Sequence, residues 1–107
     1  MRRGKECAQC AHGAVGVIAY SVDADGTWDA RVRRWFATGQ TKITVYVESE
    51  QELLELQKAA DIAGILTYLV TDAGRTEFNG VPTNTVLVIG PDLVEKIDPI
   101  TSHLPLY

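Results

Sequence analysis

Hydrophobic and polar positions change period several times along the chain, and each change predicts an element. From residue 4 to about residue 20 small and apolar residues dominate, while Lys5, Gln9, His12 and the gap at Gly16 recur at helical spacing. At about 100° per residue these positions fall within roughly 60° of one another, on one stripe of a helix. A loop follows at residues 21–26, and Thr27 is placed to cap a short helix over residues 28–38 that Gly39 ends. The period then drops to two: Ile43, Val45 and Val47 alternate with Lys42, Thr44 and Tyr46, which predicts a half-covered strand over 41–47. Ser49 and Glu52 have capping-box spacing for a helix reaching about Ala63, with Leu53, Leu56, Ala59, Ala60 and Ala63 inward and Gly64 just past its end. Residues 65–71 and 85–89 are apolar, β-rich runs bounded by turn residues, as buried strands are. The polar stretch 72–83 joins them. Gly90-Pro91 closes the last strand, a short helix covers 93–97, and Pro99 stops it.

The order helix, helix, strand, helix, strand, strand, helix predicts an α/β protein, a three-layer α/β/α arrangement around a small mixed sheet. A length of 107 residues predicts one domain over 1–107. With 46% hydrophobic and 22% charged residues the composition supplies one modest core and excludes disordered, collagen-like and coiled-coil chains. Ten Lys and Arg against fourteen Asp and Glu leave a net charge of −4, so a polyanionic partner must meet a local basic patch. No run approaches the roughly 18 apolar residues that span a bilayer. Met1-Arg2-Arg3 imitates the start of a signal peptide, yet the apolar run at 14–20 is short and contains Gly16. Two cysteines cannot staple the domain, and they read as free thiols of a reducing compartment.

Candidate chemistry gathers in three places. Cys7-x-x-Cys10-x-His12 invites a metal or redox reading, but a structural zinc site needs four ligands and only His103 remains as a soft partner. The expected role of both cysteines is that of small buried hydrophobes. The stripe of Lys5, Gln9 and His12 reads either as a solvated helix face or as a cation, an amide and an imidazole set to hold phosphate or polarise a carbonyl. Arg2 and Arg3 add positive charge beside it; Arg31, Arg33 and Arg34 either extend a basic patch or form a solvated face. The third place is the loop that opens with Thr71-Asp72-Ala73-Gly74-Arg75-Thr76, directly after a buried strand, where α/β proteins present functional groups. Asp72 is its best carboxylate, with an Asx-turn before Gly74 as the structural alternative.

Residues 4–12, Trp35 with residues 39–43, the loop from Thr71 to Thr76, residues 84–91, and Ile97-Asp98 with Ile100-Thr101 together resemble the type-2 peptidyl-tRNA hydrolases. They occur in family order over nearly the whole chain. The resemblance implies a cytoplasmic enzyme, without cofactor or metal, that hydrolyses the ester between a peptide and the 3′-terminal ribose of tRNA. It implies catalytic roles for Lys5, His12, Asp72 and Thr76. Arg2, Arg3, Gln9, Lys42 and Gly74 become candidates for binding peptidyl-tRNA. The tail at Leu104, Leu106 and Tyr107 is a candidate homodimer surface or a cover for the sheet. Three departures stand out. The family's first strand, about ten residues, is expected ahead of the Gly4-Lys5 segment, so the fold is expected to lack it. Glu77 stands where Gln is common, and Pro105 where a basic residue is usual. The alternatives to an enzyme are a non-catalytic tRNA- or protein-binding module on the same fold and a thiol redox protein using Cys7 and Cys10.

Overall fold

The computed structural model describes residues 1–74 and 78–107. Among them lie four helices, α1 (Arg3–Ala19), α2 (Ala30–Ala37), α3 (Glu50–Ile62) and α4 (Val94–Thr101), and two strands, β1 (Thr67–Asp72) and β2 (Thr83–Ile89). The strands pair antiparallel, from Thr67 opposite Ile89 to Asp72 opposite Thr83, with a bulge between Val70 and Thr71.

Because strand side chains alternate between faces, β1 serves two layers. Tyr68 and Val70 face α1, where Gly13 and Gly16 let the helix approach the sheet closely. A Cβ on Gly13 would stand 2.8 Å from a Val88 methyl group and 3.4 Å from Val70 and Val86. A Cβ on Gly16 would collide with the Tyr68 ring. The opposite face meets α3: Thr67 donates a 2.7 Å hydrogen bond to Asp61. Thr71 bonds Asn84, which reaches Glu50 at 3.0 Å. The α/β class and the α/β/α layering therefore hold, while the sheet among the described residues is two-stranded and antiparallel rather than mixed.

The difference lies in residues 41–47. Their period-2 pattern is real, with Val45 and Val47 half-buried, but Ile43 is exposed. The segment's partner is the C-terminal tail, not β1 or β2: Val45 forms an isolated bridge with Leu106. Tyr46 N–H donates to Pro105 O at 3.2 Å and Tyr107 N–H to Thr44 O at 3.0 Å. One bridge does not make a ladder. Leu104 is half-buried, whereas Leu106 and Tyr107 stay exposed.

The helix ends follow their local chemistry. Ser49 caps α3 by accepting the Glu52 N–H. At the other end Ile65 N–H bonds Ala60 O and Gly64 N–H bonds Asp61 O, with Gly64 at φ 72°, the Schellman pattern. Leu53, Leu56 and Ala60 turn inward as expected, but Ala59 and Ala63 are exposed, because the sheet covers a narrower stripe than their spacing implied. Thr27 does not cap α2. Asp25 captures both the amide and hydroxyl of Thr27, Val22 bridges Trp28, and Asp29 takes the N-cap by accepting the Arg31 N–H. Pro99 lies inside α4 instead of stopping it, and the helix runs on to Thr101. Proline removes one backbone donor there, but the next turn still closes through Ser102 N–H to Asp98 O. No helix of the described residues is long and apolar enough to cross a membrane.

Candidate active site

α1 packs its polar stripe onto the sheet. Gln9, Gly13, Gly16 and Val17 are its buried residues, while Val15 is exposed. The reading of the stripe as a solvated face therefore fails at Gln9, which is buried, and holds at His12, which is exposed. Gln9 accepts a 2.7 Å hydrogen bond from the Thr85 hydroxyl. Thr85 lies where the bulge shifts the register, which allows its side chain to turn toward α1 beside that of Val86. Thr85 carried no motif in the sequence. Only the displaced register reveals it as the partner of Gln9.

One turn earlier on α1, Lys5 Nζ lies 2.7 Å from Asp72 Oδ1, with the two side chains 19% and 10% exposed. The second oxygen, Oδ2, accepts the Gly74 N–H at 2.8 Å. The Asx-turn is therefore present through one oxygen, and the other is left to meet the cation. The Lys5 ammonium first, and then the Gly74 amide, hold the Asp72 carboxyl below the usual carboxylate range. Gly74 is required for this loop: its φ is 80°, and a Cβ there would fall 2.5–2.8 Å from the backbone of Gly80 and Val81. Thr76, the remaining residue of the expected constellation, lies outside the described residues, as does Glu77.

The other candidates separate. His12 is exposed, and its ring stacks on Tyr68 with centroids 6.4 Å apart. Arg2, the N-cap of α1, and Arg3 in its first turn are exposed. Lys42 donates to Gln40 O at 2.9 Å and stands 5.1 Å from the centre of the Trp35 ring, a cation–π contact. Arg31 is not part of a free basic patch, because its guanidinium binds Asp29, Gly64 O and Asp92. Arg33 and Arg34 remain exposed. The cysteines are not the buried hydrophobes expected. Cys7 is exposed and Cys10 half-buried, because the small glycine face of α1, not its cysteine face, meets the sheet. Burial, then the charges of Cys7 and Glu6, push the Cys10 thiol up, away from the reactive thiolate. Among the described residues no three His, Cys, Asp or Glu side chains converge as metal ligands would.

A carboxylate, an ammonium and a backbone amide thus meet at the carboxyl end of β1. The family model described as "Peptidyl-tRNA hydrolase PTH2" matches residues 1–107. The chain belongs to this family. It is 44% identical over 108 residues to a peptidyl-tRNA hydrolase of Halobacterium salinarum, covering 100% of this chain and 89% of that protein. It is 42% identical over 108 residues to one of Methanothermobacter thermautotrophicus, covering 99% and 88%. A probable peptidyl-tRNA hydrolase 2 of Drosophila melanogaster is 42% identical over 106 residues, 99% of this chain but 55% of the longer fly protein. The chain therefore spans about half of the fly relative and nearly nine-tenths of the two archaeal ones.

Proposed function

We infer that the chain is a peptidyl-tRNA hydrolase that cleaves the ester joining a peptide to the 3′ ribose of tRNA, acting as one domain in the cytoplasm. The observation that carries the mechanism is the Lys5–Asp72 pair at 2.7 Å, braced by the Gly74 amide. Asp72 retains lone pairs beyond these two contacts, so it can accept a hydrogen bond from a water aimed at the ester carbon. As the new carbon–oxygen bond forms, the water becomes strongly acidic, and even a weakly basic carboxylate serves as its proton acceptor. Lys5 offers its ammonium to the oxygen that gains negative charge, and Thr76 is assigned to the same task by its place in the motif. His12, two turns further along α1, is assigned to the ribose side, where the leaving oxygen takes up a proton as the ester bond breaks.

Gln9 acts in this reading by holding α1 against β2 through Thr85, so it positions Lys5 more than it contacts substrate. Arg2, Arg3 and Lys42 are assigned to phosphates of the tRNA, since phosphate contacts orient a nucleic acid without reading its sequence. Leu106 and Tyr107, exposed on the tail, are the candidate contact between two copies of the chain. Incubation with a peptidyl-tRNA tests the proposal: free peptide and intact deacylated tRNA are expected. Tight binding of the tRNA with the ester left uncut would replace the enzyme by a binding module on the same fold.

A further inference from the structure

Beyond His12, the α1 stripe leads to rings that ester hydrolysis does not use. The Tyr68 ring lies in the notch left by Gly16, with its centroid 5.5 Å from Tyr20 at 19° and 6.4 Å from His12 at 25°. His12, Gly16 and Tyr20 follow one another at intervals of four residues, so they stand one above the other on the helix. The three near-parallel rings therefore form a ladder along α1, with Tyr68 inserted from β1 as the middle rung. The end of the ladder is open, since Tyr20 is 79% exposed. Large aromatic rings ordinarily gain from burial, and this one stands in solvent on the stripe that also carries Lys5.

We propose that Tyr20, backed by Tyr68, is a stacking platform for an unpaired base of the tRNA 3′ end. The inference rests on the peptidyl-tRNA reading above. The 3′ end of tRNA is single-stranded, and single strands are held by stacking bases on aromatic faces, which tolerates any base identity. The platform is continuous with the proposed reaction centre. From Lys5 the stripe climbs about 10 Å to His12 and about 22 Å to Tyr20 at 1.5 Å per residue. A strand whose terminal ester lies at Lys5 and Asp72 thus passes the ladder as it leaves along α1. Rings held within 25° of parallel select a flat partner, which a base is and an aliphatic peptide side chain is not. Beyond Tyr20 the loop carries Asp23 and Asp25, whose charges repel phosphate, so the platform takes a base while the backbone turns away.

The test uses the full chain with an acceptor-stem RNA hairpin carrying 2-aminopurine in its unpaired 3′ end, a base whose fluorescence falls on stacking. The wild type and Tyr20→Trp are expected to quench it, and Tyr20→Ala is not. With peptidyl-tRNA, Tyr20→Ala is expected to raise KM about 10-fold with kcat nearly unchanged. Equal quenching and equal KM in wild type and Tyr20→Ala would overturn the platform. So would a KM increase that persists on a substrate whose unpaired 3′ nucleotides lack bases, which would place a peptide side chain there instead. A wild type that quenches through Tyr20 but cleaves no peptidyl-tRNA would leave the platform standing and remove the hydrolase reading.

Discussion

Lys5 and Asp72, 67 residues apart in sequence, lie 2.7 Å apart where the first turns of α1 cross the end of β1. Neither residue reaches this position alone. Close packing of Gly13 and Gly16 on the sheet sets the height of α1, and the Gly74 amide fixes the rotamer of Asp72.

The pair predicts a specific response to acid. A carboxyl held below its unfolded value stabilises the fold fully above that value, about 3.9, and the contribution is lost as pH falls through the lower folded value. The difference in melting temperature between the wild type and Asp72→Asn should be constant from pH 7 to about 5 and shrink below about 4. Thermal melts across this range check it; a difference that grows toward acid would contradict the ionised pair.

Arg31 predicts the opposite kind of variant, one that loses stability and keeps catalysis. Its guanidinium spans Asp29, the Gly64 carbonyl and Asp92, tying α2 to the end of α3 and to the loop before α4. The Asp92 side chain is only 3% exposed. Removing the partner of a buried charge costs about 3–5 kcal/mol, reduced here because Arg31 is itself partly solvated and Lys96 lies near Asp92. Arg31→Leu should lower unfolding free energy by about 2 kcal/mol in urea titrations, with kcat close to that of the wild type. Lysine at this position should restore little, since it lacks the planar fork.

Gly16 should be intolerant for a reason that helix propensity does not contain. Alanine in a helix gains about 1 kcal/mol over glycine, but here its Cβ meets the Tyr68 ring, and overpacking costs about 1–3 kcal/mol. Gly16→Ala is expected to destabilise the wild type yet to be neutral or stabilising in a Tyr68→Ala background. Chemical denaturation of the four proteins of the cycle reads this coupling directly. An equal effect in both backgrounds would refute the contact.

Binding of deacylated tRNA should weaken steeply with salt. Each neutralised phosphate contributes a slope of about −0.7 to −0.9 in log K against log salt. Arg2→Ala or Arg3→Ala should flatten the slope by about one contact. A flat wild-type response would remove the electrostatic footprint on α1.

The sequence makes these sites visible unevenly, for physical reasons. The caps of α3 are local, so Ser49, Glu52 and Gly64 could be read directly from their spacing. Asp72 and Gly74 were equally legible, because a loop after a buried strand needs turn chemistry. What periodicity cannot show is which face of a helix meets the sheet when that face is built from glycine and glutamine. The stripe of α1 thus looked ambiguous, although Gln9 and Gly16 on it are packed against the sheet, and the cysteines were expected inside when Cys7 is outside. Residues 41–47 alternate as a strand does, but alternation reports burial on one side and says nothing about the hydrogen-bonding partner. Their partner is the tail, through a single bridge. Thr85 and Tyr68 stayed hidden because their roles depend on a bulge and on a glycine notch in a different element.

The most direct measurement is single-turnover cleavage of a peptidyl-tRNA by the wild type and by Asp72→Asn. Asparagine keeps the shape and can still accept the Gly74 amide, but it abolishes the charge that meets Lys5 and the site for the water's proton. The rate of the chemical step should fall about 100-fold or more while substrate affinity changes little. A variant that cleaves at nearly the wild-type rate would contradict the assignment of the reaction to the Lys5–Asp72 pair.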